Sequence, residues 1–369
     1  IYPLGKPNNT TIYQGLSSLF LDNPNLKWEE SRQLDIGLEI GLLDDKLTIE
    51  VDYYRKTTSD LLMAATTAIY IGNRPPIANV GEVVNQGIEL EASYRKRIRD
   101  VRINLGFNAA TLRNTVTKVT DNGFIDGYTW PVRNAVITRM EVGQPIGYFR
   151  GFRTAGIFRS QSDVFSYINN NGNPIQPNAR PGDLKFVDVN GDGRIDNEDI
   201  TNIGNPWPWL TMGFNVSVSW KGFDIRTLFA ASIGNEIFRS YERQDVINNN
   251  YQVEWLDRWT ESNPNGSYPR LTTFDTNNNA RPSDFFVEDG SYLRLKNLQI
   301  GYNLPRNIVD KAKMKSVRVY ASFDNLITIT GYTGLDPEIG TNGWILDTAI
   351  DKGFYPQLRT AGLGINASF

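Results

Sequence analysis

Cysteine is absent from the 369 residues, and so is histidine. Without thiols there are no disulfides and no thiolate chemistry. Without imidazole there is no histidine triad, no histidine acid–base catalysis and no imidazole metal site. No stretch reaches the roughly 18 consecutive apolar residues that a membrane-crossing helix needs, which excludes a helical membrane protein. It does not exclude a transmembrane barrel, because barrel strands are apolar only at alternate positions. Charge of one sign is also lacking: 38 Lys and Arg face 41 Asp and Glu, for a net charge of −3. The basic residues are dispersed, so the footprint of a nucleic-acid binder is missing. The start, Ile1-Tyr2-Pro3-Leu4-Gly5, has neither an initiator Met nor a charged segment followed by an apolar signal core. It reads as a chain entered in the middle, with any signal peptide upstream.

What the chain does have is aromatic residues and glycine: 17 Tyr, 18 Phe, 8 Trp and 32 Gly, a balance that favours strands and turns. Strict alternation recurs, the spacing that sends successive side chains to opposite faces of a sheet. Leu34, Ile36, Leu38 and Ile40 alternate with Asp35, Gly37, Glu39 and Gly41, and Leu47, Ile49, Val51 and Tyr53 come next with Thr48, Glu50 and Asp52 between them. The same pattern runs through Ile88 to Tyr94, Val101 to Ala109, Leu210 to Trp220, Phe223 to Phe229, Val317 to Phe323 and Ala361 to Phe369. Residues 292–304 are less regular, as if bulged near Lys296. With a further strand expected over residues 147–158, the count comes to about ten.

Connections alternate between short and long. Short ones fall at residues 43–46, 96–100, 221–222 and 305–315, and long ones at 63–79, 116–143, 160–205, 234–285 and 331–355. A soluble antiparallel sandwich has no reason to gather its long loops at one end, whereas an outer-membrane barrel has short periplasmic turns and long external loops. Trp28, Tyr53, Tyr54, Tyr94, Trp209, Trp220, Tyr302 and Tyr320 stand near strand ends, where interfacial girdles lie. The expected fold is therefore all-β: an antiparallel transmembrane barrel wall.

One loop, residues 160–205, carries an EF-hand-like segment at 188–199. Counting Asp188 as position 1, oxygen ligands fall at 3 (Asn190), 5 (Asp192), 9 (Asp196) and 12 (Asp199), with Gly193 at the sharp turn and the Arg194 carbonyl at 7. Hard oxygens at that spacing suit Ca²⁺ in a structural role, weakened by Asp in place of Glu at position 12; the alternative is an Asx-rich turn with no ion. Trp130, Trp207, Trp255, Trp259, Tyr332 and Trp344 lie in the long loops and could line a ligand site by stacking on sugar rings or peptide side chains, although packing of loop on loop explains them as well. Asp257 and Glu261 have the residue types of a glycosidase pair, but nothing supplies a surrounding site, and no enzyme is expected. The final strand ends on Phe369, like the terminal signature by which outer-membrane substrates are recognised for assembly.

Several landmarks, in order along nearly the whole chain, carry a family resemblance. They include Asn23-Pro24-Asn25-Leu26-Lys27-Trp28-Glu29, Asn85-Gln86-Gly87-Ile88-Glu89-Leu90 and Gly143-Gln144-Pro145-Ile146-Gly147-Tyr148-Phe149. Pro181-Gly182-Asp183-Leu184-Lys185-Phe186 leading into Val187-Asp188-Val189-Asn190-Gly191-Asp192-Gly193, Lys221-Gly222-Phe223-Asp224 and Gly290-Ser291-Tyr292-Leu293-Arg294-Leu295 extend it. On these residues the chain resembles the SusC-like TonB-dependent outer-membrane transporters of Bacteroidetes, in their C-terminal barrel portion. The resemblance implies a large barrel, 22-stranded in plugged transporters of this kind, of which residues 1–369 would form less than half the wall, with the plug domain outside this chain. It further implies a SusD-like surface lipoprotein as lid, TonB acting through the missing N-terminal part, a glycan or peptide substrate and location in the bacterial outer membrane. A passive porin or an adhesin barrel without energised uptake is the competing expectation.

Overall fold

The computed structural model describes residues 2–4, 13–15, 21–65, 74–120, 123–242, 249–341 and 343–369. Parts of four of the expected long connections, residues 66–73, 121–122, 243–248 and 342, lie outside the described residues.

Ten strands form one antiparallel sheet: β1 (Glu30–Leu42), β2 (Leu47–Ser59), β3 (Gly81–Ile98), β4 (Val101–Thr111), β5 (Arg113–Val119), β6 (Leu210–Trp220), β7 (Phe223–Ile233), β8 (Tyr292–Asn303), β9 (Ser316–Thr330) and β10 (Thr360–Ser368). Neighbours in the sheet keep to chain order, with β4 and β5 sharing the 18-residue β3 as partner: Glu89 to Ile98 pair with β4, and Gly81 to Gln86 with β5. The strand expected at residues 147–158 is not in this sheet. Tyr148–Gly151 and Thr154–Ile157 belong to small sheets of the loops, and burial on both sides takes Tyr148–Gly151 out of the two-faced pattern that marks a wall strand.

Register turns the alternation of single strands into rows across the whole sheet. Leu38, Val51, Leu90, Ala109, Met212, Ala231, Leu293 and Ile329 are successive partners across eight strands. The row beside it runs Ile40, Ile49, Ala92, Phe107, Phe214, Phe229, Leu295 and Ile327. No side chain in either row is charged or polar. Among the described residues no second sheet lies over this face: Ile36 is 62% exposed, Leu38 61%, Leu363 88% and Ile365 70%. A contiguous apolar face of that extent marks contact with lipid or another apolar phase, because water alone does not tolerate it. The intervening rows are polar, and Glu39, Glu50 and Glu91 stand in direct register on one of them. Three like charges side by side call for water at that face.

Turn chemistry fixes which end is which. Lys221 (φ 45°) and Gly222 (φ 92°) link the paired residues Trp220 and Phe223, the left-handed pair of a two-residue hairpin. Leu43, Asp44 and Asp45 also take positive φ between β1 and β2. A short helical turn, Arg306–Val309, helps to close the β8–β9 link. All these links lie at one rim; the connections β2–β3, β5–β6, β7–β8 and β9–β10 lie at the other. The irregularity expected near Lys296 is a bulge: β8 carries one extra residue against Leu228 and Phe229 of β7, and β9 answers with Asn325 at φ 51°. This bulge keeps both flanks of β8 in apolar phase.

Facing alone separates the aromatic girdle candidates. Trp28, Trp209 and Trp220 are exposed, and Tyr302 packs on Phe223 on the apolar side. Tyr54 and Tyr320 fall on the polar rows instead. Tyr54 donates its hydroxyl to the Thr111 carbonyl at 3.0 Å, and Tyr320 lies over Gly364, so neither belongs to a lipid-facing girdle.

Candidate functional site

The hydrophobic core of the molecule sits beyond the rim, among the long loops, and not beneath the sheet. One cluster joins Trp130, Ile137, Phe149, Phe238, Phe286, Tyr332 and Ile350, none of them on a wall strand, from three different connections. Trp130 meets Phe238 and Phe286 edge-on at 5.2 and 4.8 Å, and its Nε1 donates to the Ser240 carbonyl at 3.1 Å. Small sheets knit these loops. Phe124–Asp126, Thr138–Glu141, Tyr148–Gly151 and Thr201–Gly204 pair in that order, and Val287–Asp289, Glu236–Arg239 and Ile350–Asp351 form another set. The loops therefore make a folded cap.

Burial decides the fate of the six loop aromatics. Trp130 is fully buried, Trp255 is 3% exposed and Tyr332 5%. Tyr332 gives its hydroxyl to Asp351 at 2.7 Å, and burial, that hydrogen bond and the Asp351 charge push its phenol far above the usual range. Trp207 and Trp259 pack against other clusters, their Nε1 atoms bonded to the carbonyls of Ile146 and Arg159. Of the six, Trp344 alone stays exposed, at 40%. Trp130, Trp255 and Tyr332 thus hold the cap together with their rings closed off, and Trp207 and Trp259 pack on it only in part. A large aromatic in a loop cannot be told apart by sequence from a core residue, because the core here is made of loops.

The segment 188–199 wraps around its own backbone. Asp188 accepts from the N–H of Gly191 at 2.7 Å and of Gly193 at 2.8 Å; Asn190 accepts from Asp192, and Asp192 from Arg194. Gly191 and Gly193 take φ of 77° and 89°, which suits glycine in such a wrap. Asp199 is fully buried and accepts from the N–H groups of Val189 and Asp196, acting as an inner cap. The Arg194 guanidinium bridges Asp192 and Asp196 at 2.9 Å each. Among the described residues no three acidic side chains are grouped to hold a metal ion. The donor chemistry suits Ca²⁺, but in this conformation Arg194 supplies the positive charge. Asp257 is likewise spent on its own loop, accepting from Asn263 at 3.0 Å and from the Ser267 N–H at 3.1 Å, and these bonds hold its carboxyl below the usual range. Glu261 is exposed.

Residues that sequence reasoning missed tie the cap to the wall. Arg294 of β8, 2% exposed, reaches Asp336 at 2.6 Å and Glu338 at 2.7 Å in the β9–β10 connection, and Lys296 of the bulge also meets Glu338. Burial works against the Asp336 charge, but the N–H groups of Glu338 and Gln357 and the Arg294 guanidinium outweigh it and hold the carboxyl below its usual range. Deeper in the wall, Arg318 of β9 crosses β8 to reach Asp224 of β7 at 2.7 Å. It passes over Gly301, where any side chain would collide with the guanidinium.

A lipid-facing apolar surface, a polar opposite face, tight turns at one rim and a folded cap at the other are the parts of an outer-membrane receptor barrel. The family profile described as TonB dependent receptor-like, beta-barrel, matches residues 4–235. The chain belongs to this family. TonB-dependent receptor P3 of Formosa agariphila is 34% identical over 94% of the chain and 35% of that protein. TonB-dependent receptor SusC of Bacteroides thetaiotaomicron is 28% identical over 100% of the chain and 34% of that protein. Among solved structures, the RagAB peptide transporter superposes over 100% of the chain and 38% of its own, with a TM-score of 0.76 at 25% identity. The chain therefore spans about a third of the length of the curated relatives it matches. It is a SusC-like portion of an outer-membrane TonB-dependent receptor barrel, from a family of transport proteins that are not enzymes.

Proposed function

We propose that the TonB-dependent receptor of which this chain is part imports glycans or oligopeptides across the outer membrane, with a SusD-like lipoprotein closing over the cap. The single observation that carries this reading is the folded cap above a water-facing wall. Loops that merely rim a passive pore need no shared core, whereas a lid can dock on a surface held in shape by Trp130, Phe238 and Phe286. The relatives named TonB-dependent receptor and the RagAB peptide transporter support energised uptake, through TonB and a plug supplied by the rest of the protein. Substrate would be captured at the cap, enclosed and released through the lumen. The experiment is purification of the full-length protein from the native outer membrane, with mass spectrometry of its partner chains and bound ligand, and uptake measured with and without TonB. A co-purifying surface lipoprotein and uptake that stops without TonB are expected. Uptake indifferent to TonB would establish a passive porin instead.

Ca²⁺ belongs to the same proposal as a stabiliser of the cap. Asp188, Asn190, Asp192, Asp196 and the Arg194 carbonyl would hold it once the Arg194 side chain, which is 70% exposed, swings off Asp192 and Asp196. Terbium luminescence of the full-length protein tests this: signal that rises with Arg194→Ala and is quenched by Ca²⁺ supports the ion, and no signal from either form removes it.

A further inference from the structure

Beside the segment 188–199 the cap holds a cleft of about 730 Å³ lined by three arginines, Arg133, Arg150 and Arg281, together with Phe152, Ile195 and Ile200. Its charge is not balanced from within. Arg133 pairs with Asp275 at 2.9 Å, and Asp196, the carboxylate on the lining, is already bridged by Arg194. Arg150, on the cap strand Tyr148–Gly151, is partly buried, and its guanidinium makes no hydrogen bond or ion pair to any of the described residues. Arg281 spends Nε and one terminal nitrogen on the carbonyls of Asn278 and Asn277, at 3.2 and 3.1 Å, and has no carboxylate within ion-pair reach among the described residues. It is clamped between the rings of Phe152 and Phe186, 4.7 and 4.5 Å from their centroids, and burial pushes its guanidinium down to about 10, with the charges of Asp275 and Asp199 offsetting only part of this. Arg150 is also pushed below its usual range, first by burial and then by the Arg139 charge, and the charges of Asp126 and Glu141 offset only part of this.

Two guanidiniums without anionic partners in one partly desolvated cleft are costly unless an anion completes them. The six residues come from four separate stretches of the chain, so only folding brings them together. We propose that this cleft is a capture site for the carboxylates of acidic oligopeptides. The volume is in the range of pockets for small organic ligands and exceeds what a bare ion needs. Val136, Ile195 and Ile200 give the cleft apolar wall for side-chain methylenes. Neither Trp nor Tyr lines it, and the Phe152 face is covered by Arg281, so a sugar ring has no stacking platform. An acidic peptide at this cleft deepens the import reading by naming a substrate class, and it depends on that reading only for the steps after capture.

The test is direct binding of fluorescent hexapeptides of alternating Asp and Ala to the full-length receptor in detergent, with the Asn-for-Asp peptide and a sulfated oligosaccharide as the other two probes. The Asp peptide should bind at least ten-fold tighter than its Asn counterpart. Arg150→Gln should abolish most of that preference, and Arg150→Lys should keep a part of it. The Arg150 guanidinium makes no hydrogen bond or ion pair to the described cap, and an unchanged hydrogen-exchange pattern of the cap sheets checks that its loss leaves the fold intact. Equal affinity for the Asp and Asn peptides overturns the site, as does an Arg150→Gln receptor with wild-type preference. Arg150-dependent binding of the sulfated sugar without binding of the Asp peptide also overturns it. Binding is read on purified protein, so loss of TonB-dependent uptake with the peptide preference intact would strike the import reading alone.

Discussion

Wall and cap are made by one chain and bury apolar surface in opposite ways. In the wall, side chains such as Leu38, Val51 and Phe214 stand exposed in apolar rows, and the polar rows turn toward water. In the cap, Trp130, Phe149, Phe238 and Phe286 close on one another from separate loops. The wall borrows its apolar environment from the membrane, so its strands need only alternate. The cap stands in water and must build its own interior, with the packing and hydrogen-bond demands of a soluble domain. A substitution should therefore act according to its region, and the two are joined both by apolar packing, of Val83 and Val116 against Ile125, Met140 and Leu346, and by the buried ion pairs of Arg294.

The heaviest cost should fall on the cap. Trp130→Ala empties the site of its largest fully buried ring and should cost about 3–5 kcal/mol. Hydrogen exchange should rise across the small sheets of the cap while β6 and β7 stay protected; equal loss in both would show that wall and cap are not separable. Next comes the wall. Phe214→Arg, in a lipid-facing row, should cost about 2–4 kcal/mol for a site near mid-membrane, whereas Asn215→Arg on the polar face should cost about nothing. Reversible folding into lipid vesicles measures both, and matching costs would erase the sidedness of the sheet.

The joint between the regions should respond less. Arg294→Gln leaves Asp336 buried without its cation and should cost about 1.5–3 kcal/mol, read as protease cleavage in residues 331–359 with an intact wall. A smaller effect probes the same joint through pH. The Asp336 carboxyl is held low in the folded cap, so its contribution is complete above the unfolded value of about 4 and is lost as pH falls through the depressed folded value. Exchange protection of that connection should drop in acid below about pH 4, and Arg294→Gln should flatten the dependence. A pH profile identical in both proteins would remove Arg294 as the joint.

Legibility in the sequence ran along the same division. Nine of the wall strands announce themselves by alternation, since a face that meets a uniform phase needs only the period of two, and the bulge at Lys296 showed as a break in that period. The tenth wall strand, β5, was hidden: its second half, residues 116–119, lies in what reads as the start of a long loop, and only the length of β3 supplies the partner that makes Arg113 to Val119 a strand. Within the cap, the turn residues of 188–199 were readable because Asx and glycine act on their own backbone. Burial was not readable there, and Trp255 and Tyr332 look like surface aromatics until distant loops cover them.

The order of residues was enough to set which side chains share a face of each strand, where the tight turns fall and how the loop at Asp188 wraps, because those features depend on residues a few positions apart. Register across the sheet, the closure of three connections over one core, the reach of Arg294 to Asp336 and the meeting of Arg133, Arg150 and Arg281 around one cleft came only with long-range packing. Each of these sets residues far apart in the chain within a few ångströms of one another, and no local pattern encodes the partner of a side chain that the chain must travel so far to find.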